Sequence, residues 1–207
     1  MIARFIAICA FLLAVFGLTG PALAADLTVM ITDNRGRPVE DAVVILDAPG
    51  TAPRAGRFVI NQHDEQFVPR VLVIPAGSTI EFGNLDPFRH HVYSFSPARR
   101  FELRLFGQGE TRPVRFDNVG VVAIGCNIHD NMEAFIQVVD TPHAGKSGSN
   151  GRITLRNVPT GSFSLRVWHP RLRAPANQMT MQVNTATTQN VPVSVRLRGR
   201  APSLHDY

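Results

Sequence analysis

Cys126, His129 and Met132 stand in the run Cys126-Asn-Ile-His-Asp-Asn-Met132, which offers a thiolate, an imidazole and a thioether at Cys-x2-His-x2-Met spacing. Thiolate and imidazole together bind Cu(I), Cu(II) or zinc, whereas a thioether is a soft ligand that adds to copper and gives zinc little. The spacing therefore favours copper in a single soft-metal site, with a further ligand required from elsewhere in the chain. Val119-Gly-Val-Val-Ala-Ile-Gly125 before the run and Ala134-Phe-Ile-Gln-Val-Val139 after it read as β-type segments. The ligand residues then fill a loop that joins two strands, and a loop pinned at both ends makes a rigid clasp.

Cys126 is also the odd thiol of the chain. The segment 1–24 has Arg4, an apolar run from Phe5 to Leu18 and the small-residue stretch Pro21-Ala-Leu-Ala24, the pattern of a secretory signal peptide cleaved after Ala24. The apolar run is short for a membrane span, no cysteine stands at the cleavage point and no twin arginine precedes it. Export to the periplasm or beyond, with no membrane span after processing, is the expectation. Of the two cysteines, Cys9 leaves with that peptide and Cys126 is left alone in an oxidising compartment, where thiols normally pair. Bound metal protects a thiolate and accounts for the neighbouring His and Met as well.

The mature chain of about 180 residues is long enough for one large domain or two small ones with real cores. Residues 25–145 carry 11 Lys and Arg against 15 Asp and Glu, whereas residues 146–207 carry 9 against 1. Such asymmetry indicates two modules. The basic segment is open to anionic lipid or an acidic partner; export and the absence of interleaved aromatics argue against nucleic acid. Short strands are expected at 27–31, 42–46, 71–74, 79–82, 91–95, 101–105, 121–124, 135–139, 152–155, 162–168, 179–183 and 191–197, separated by Gly and Pro turns such as Asn34-Arg-Gly36 and Pro159-Thr-Gly161. No helical period persists beyond about ten residues. The fold class is all-β, of the sandwich or barrel kind.

Between Gln66 and Asp140 the pattern becomes specific. Two strands around Pro75-Ala-Gly77 lead to Asn84, the loop Leu85-Asp-Pro-Phe-Arg-His-His91 and a strand from Val92, and the Cys126 clasp follows. In this order the residues resemble the cupredoxins, the blue-copper fold of plastocyanins and amicyanins. The pair His90-His91 with Tyr93-Ser-Phe-Ser96 and Cys126-Asn-Ile-His129 look most like the plastocyanin-like proteins labelled methylamine utilization proteins. The resemblance implies a Greek-key β-sandwich, one type 1 copper, His90, Cys126 and His129 as trigonal ligands and Met132 as the long axial one. It departs from the pattern at His91, where the family usually has Asn, and His90 is favoured over His91 from its position. His63, His143, His169 and His205 are expected to be ordinary histidines.

The flanks carry a second resemblance. Leu27 to Leu46, and Ser149 to Trp168 with its Pro159-Thr-Gly161 turn, are similar to carboxypeptidase-regulatory-like (transthyretin-like) β-sandwiches. The expected organisation is 1–24 signal peptide, 25–56 first strands of the flanking sandwich, 57–141 cupredoxin domain inserted between them, 142–200 the remaining strands and 201–207 a tail. Residues 145–151 are expected to form a flexible joint or hairpin loop, and Trp168 to be core of the flanking sandwich. What the cupredoxin resemblance implies is a carrier of single electrons between redox partner proteins, docking through an apolar patch of Phe88, Met132 and Ala134. A copper-delivery protein and a metal-free β-sandwich binding protein are the alternatives. An enzyme is not expected, because four protein ligands leave no open coordination position.

Overall fold

The computed structural model describes residues 24–129 and 131–199; the expected signal peptide up to residue 23 and the tail 201–207 lie outside the described residues. Sixteen strands follow in chain order: β1 (Ala25–Asp33), β2 (Val43–Leu46), β3 (Arg57–His63), β4 (Gln66–Val68), β5 (Val71–Pro75), β6 (Ser78–Asn84), β7 (His90–Ser96), β8 (Arg99–Phe106), β9 (Thr111–Phe116), β10 (Gly120–Gly125), β11 (Glu133–Val139), β12 (Ala144–Lys146), β13 (Arg152–Val158), β14 (Ser162–Trp168), β15 (Gln178–Asn184) and β16 (Asn190–Val195). The fold is all-β, and among the described residues no helix is long and apolar enough to cross a membrane.

These strands make four sheets. Sheet A has the order β13-β1-β16, sheet B β12-β2-β14-β15, sheet C β4-β3-β6-β9 and sheet D β5-β11-β10-β7-β8. Alternation of side chains along each strand builds the packing. Leu27, Val29 and Ile31 of β1 meet Val44 and Leu46 of β2, Leu165 and Val167 of β14 and Val191, Val193 and Val195 of β16, so sheets A and B enclose one core. Ile60, Ile80, Phe82, Val114 and Phe116 of sheet C meet Val92, Val122, Ile124, Ala134, Ile136 and Val138 of sheet D in a second. The C–D sandwich is formed by the consecutive strands β3 to β11, and the A–B sandwich by β1, β2 and β12 to β16.

A third cluster joins the two sandwiches. The other faces of β2 and β14 present Val43, Ile45 and Trp168 to Val71, Val73, Phe135 and Val139 of β5 and β11. The Trp168 and Phe135 rings lie 5.4 Å apart between centroids. Sheets B and D therefore pack back to back, and the stacking order is A, B, D, C. This explains why Val43-Val-Ile-Leu46 and Ala134-Phe-Ile-Gln-Val-Val139 are apolar almost without alternation: both of their faces are covered. It also corrects the expectation for Trp168, which fills the contact between sandwiches instead of the core of one.

The connections between sandwiches run side by side. His143, between β11 and β12, donates from Nε2 to the carbonyl of Pro49, between β2 and β3, at 3.2 Å. A Cβ on Gly50 would stand 2.7 Å from Pro142 Cγ, so the two segments fit only with glycine there. Residues 145–151 are not a free joint. Their first two residues belong to β12, which pairs with β2, and buried Ser147 donates from its hydroxyl to the Val39 carbonyl at 2.7 Å while accepting from the Ala42 amide at 3.0 Å.

Four strands were not expected. β9 carries Pro113 and two arginines and sits at the edge of sheet C, where a proline and charges are tolerated because one side of the ladder is unpaired. β3 ends in Asn61-Gln-His63, a polar run that hides its strand character. β4 and β12 are three residues each, too short for any period to register.

Candidate metal centre

The Cys126 loop joins β10 to β11, which pair antiparallel from Gly120↔Val138 to Gly125↔Glu133. The clasp is thus the tip of a hairpin in the middle of sheet D. On its other side β10 meets β7 at Gly125↔Tyr93, and this pairing brings the start of β7 beside Cys126. Gly125 makes the crossing tight, since a Cβ there would stand 3.0 Å from the Tyr93 ring and hydroxyl and the ring would have to shift.

The two neighbouring histidines at the start of β7, where the register with β8 is irregular, have different partners. His90 is completely buried on the same side as Val92, and its Nδ1 lies 3.9 Å from Cys126 Sγ. His91 lies on the outer face with Tyr93, its ring centroid 5.7 Å from that of Tyr93 and its Nε2 3.0 Å from the Glu102 carboxylate. His129 Nδ1 lies 3.9 Å from the same sulfur. The ligand atoms of His90, Cys126 and His129 all fall within 4.8 Å of one another. Met132 is buried at 2% exposure in the cluster that holds Cys126, and its amide donates to the His129 carbonyl at 3.1 Å, which curls the loop so that it turns inward. Four sequence-expected site residues thus lie at one end of the C–D sandwich, with His91 turned away from them.

The loop carrying His90 is fixed by two buried polar residues. Asn84 donates from Nδ2 to the carbonyls of Phe88 at 2.8 Å and Phe106 at 3.0 Å, and accepts from the Asp86 amide at 2.9 Å. Asp86, 4% exposed, accepts from His90 Nε2 at 2.7 Å. Its carboxylate also takes the amides of Asp64 at 2.8 Å and Glu65 at 3.2 Å. Those two residues form the β3–β4 turn with φ of 51° and 54°, a left-handed pair that a two-residue hairpin demands and that non-glycine residues adopt at a cost. Burial pushes the Asp86 carboxyl up, but the bond from His90 and the two amides outweigh it and hold it below the usual range. A carboxylate can only accept, so it keeps the proton on Nε2 and leaves the Nδ1 lone pair of His90 facing Cys126, the ligand-ready tautomer. In the sequence, the i, i+4 spacing to His90 is the only local signal of this role for Asp86.

The set fits a soft metal ion. Metal–nitrogen distances of about 2.0 Å and metal–sulfur distances of about 2.3 Å sum to more than the 3.9 Å that separates each imidazole nitrogen from the sulfur, so one ion fits between the sulfur and either imidazole. Thiolate and thioether exclude the hard cations and favour copper. The other histidines lie apart: His63 beside Asp64 and Asp86, His143 on the Pro49 carbonyl, and His169 accepting from the Arg171 amide, whereas His205 lies outside the described residues.

The rim differs from the expected one. Met132 and Ala134 are buried, whereas Leu85, Phe88 and Ile128 are 49%, 41% and 50% exposed. The Phe88 ring lies 5.0 Å from that of His90 and 5.6 Å from that of half-buried His129. Buried Met132 cannot serve as a docking residue; the apolar surface comes from the tips of the two ligand loops.

No family model matches the chain, and no curated protein matches it. Among solved structures, a copper-containing nitrite reductase from Thermus scotoductus SA-01 is 25% identical over 55% of this chain, with a TM-score of 0.39; the chain spans 28% of that protein's length. A reduced tryptophan-to-tyrosine mutant of amicyanin is 14% identical over 46% of this chain and 98% of its own, with a TM-score of 0.38. A purple cupredoxin from Nitrosopumilus maritimus is 20% identical over 42% of this chain and 100% of its own, with a TM-score of 0.36.

Proposed function

We propose that this chain is an exported type 1 copper protein that passes single electrons between redox partner proteins. The observation that carries the reading is the convergence of Cys126 Sγ with the Nδ1 atoms of His90 and His129. They meet in a pocket where His90 and Cys126 are buried and His129 reaches toward the surface. Bound copper would supply a one-electron couple between Cu(I) and Cu(II). The protein's part is to hold the donors still: His90 through Asp86, Cys126 through the β10–β7 crossing at Gly125, and Met132 through its hydrogen bond to His129. A donor set that mixes hard and soft atoms in a fixed cage suits neither oxidation state alone, and so little rearrangement accompanies transfer. With four protein donors there is no open position for a substrate, so the reading is a carrier and not an enzyme. The exposed edge beside His129, framed by Leu85, Phe88 and Ile128, fits the small interfaces of transient redox encounters.

The test is a redox titration of the copper-loaded protein with ascorbate and ferricyanide. A visible band that bleaches and returns stoichiometrically over repeated cycles is expected. Copper that is lost on the first reduction would instead mark a copper-delivery protein.

A further inference from the structure

The basic segment noted in the sequence divides between two places. Lys146 binds Asp41 and Arg166 binds Asp47. Arg171, Arg173, Arg196 and Arg198 instead gather at one corner. The backbone of 171–173 pairs with that of 196–198 through the Arg173 amide to the Arg196 carbonyl at 2.9 Å and the Arg198 amide to the Arg171 carbonyl at 2.7 Å, around the bridge Leu172↔Leu197. Leu172 points into the A–B core; by alternation the four arginines project from the opposite face.

Arg173, Arg196 and Arg198 are exposed, and none of the three takes part in an ion pair among the described residues. Among the described residues the Arg198 guanidinium donates to the neutral oxygens of Pro170 and Asn177. The corner follows directly on Trp168, whose ring packs on Phe135 of β11. β11 begins at Glu133, the residue after Met132, and Glu133 pairs with Arg70. The charges of Arg171 and Arg70 both bear on buried His169. The corner therefore lies toward the metal end of the C–D sandwich.

We propose that this arginine corner is a docking surface for an acidic redox protein, with the flanking sandwich steering the partner toward the His129 edge. The inference rests on the electron-carrier reading for its partner and on the corner's own charge for its chemistry. A protein is favoured over a membrane surface because, among the described residues, every large exposed apolar one, from Val59 to Ile128, belongs to the C–D sandwich, so the described part of the corner offers nothing to insert among lipids. Opposite charge across a small interface raises association rates and makes them fall with salt.

The test mixes the reduced copper protein, by stopped flow, with an acidic and with a basic c-type cytochrome at low and high salt. Faster transfer to the acidic cytochrome is expected, with a steep fall in salt. The pair Arg173→Glu and Arg196→Glu should slow it about tenfold or more at low salt, with visible spectrum and midpoint potential unchanged; Arg173→Gln with Arg196→Gln should fall between. Poly-L-glutamate titrated into the copper-free protein gives a second readout, with amide shifts concentrated at 171–173 and 196–198. Equal rates in wild type and variants with no such shifts overturn the proposal, as does arginine-dependent binding to phosphatidylglycerol vesicles without any effect on the cytochrome reaction. Failure of the wild type to develop colour with copper, while poly-L-glutamate still binds at the corner, would overturn the electron-carrier reading and leave the anionic-partner surface standing.

Discussion

At the level of single residues, the site divides into what spacing reveals and what only the fold assembles. Cys126, His129 and Met132 are legible because three ligand types fall within one short loop, and His90 is legible through the order of the motif. Asp86 is not, because its function depends on a β-hairpin turn more than twenty residues upstream that donates two amides to the same carboxylate. Asp86→Asn keeps the shape of the side chain and removes its charge. It is expected to weaken copper retention about ten- to a hundredfold, measured by competition with a chromophoric chelator, while leaving the circular dichroism of the β-fold in place. Unchanged retention would mean that packing alone orients His90. Of the two neighbouring imidazoles, left by the sequence to position in a pattern, His90 lies 3.9 Å from Cys126 Sγ whereas His91 bonds the Glu102 carboxylate.

Among the elements, the strands with clear alternation or strong apolar character were readable, and the polar, edge or very short ones were not. Trp168 shows where sequence reading fails for a physical reason: an aromatic that ends a strand looks the same whether its partner lies in its own sandwich or in the neighbouring one. Its contact with Phe135 makes the B–D packing a load on one large side chain. Trp168→Ala is expected to cost about 3–5 kcal/mol, read by denaturant unfolding. Next to it, burial pushes His169 down to about 4, with Arg171 and Arg70 adding to the effect and Asp41 opposing it. The unfolded chain takes up this proton near pH 6.5 and the folded protein only near pH 4, so the contribution of His169 to stability is complete above pH 6.5 and is lost as pH falls toward 4. His169→Asn should flatten the fall in melting temperature over that window; an unaltered slope would assign it to other groups.

For the molecule as a whole, two cores and a third cluster between them make the sandwiches one mechanical body, tied further by the His143 bond between the two connecting segments. Metal at one end should therefore be felt at the other. Copper at a thousandfold excess over its dissociation constant adds about 4.1 kcal/mol, and the whole chain is expected to melt in one transition that moves upward. Amide exchange should slow in β2 and β14 as well as in β10 and β11. Two transitions, with only one shifted by copper, would show that the B–D contact does not couple the sandwiches. The all-β class was visible in the sequence; the back-to-back packing was not, because it depends on which strand faces are covered twice.

The central claim is that Cys126, His90, His129 and Met132 hold one copper ion, and the most direct measurement is the visible absorption and electron paramagnetic resonance of the protein after addition of one equivalent of Cu(II), alongside Cys126→Ser. An intense thiolate-to-copper band in the wild type, absent from a folded Cys126→Ser variant, is the predicted result. A colourless wild type with the weak spectrum of tetragonal copper, or an intense band that survives in Cys126→Ser, would contradict it.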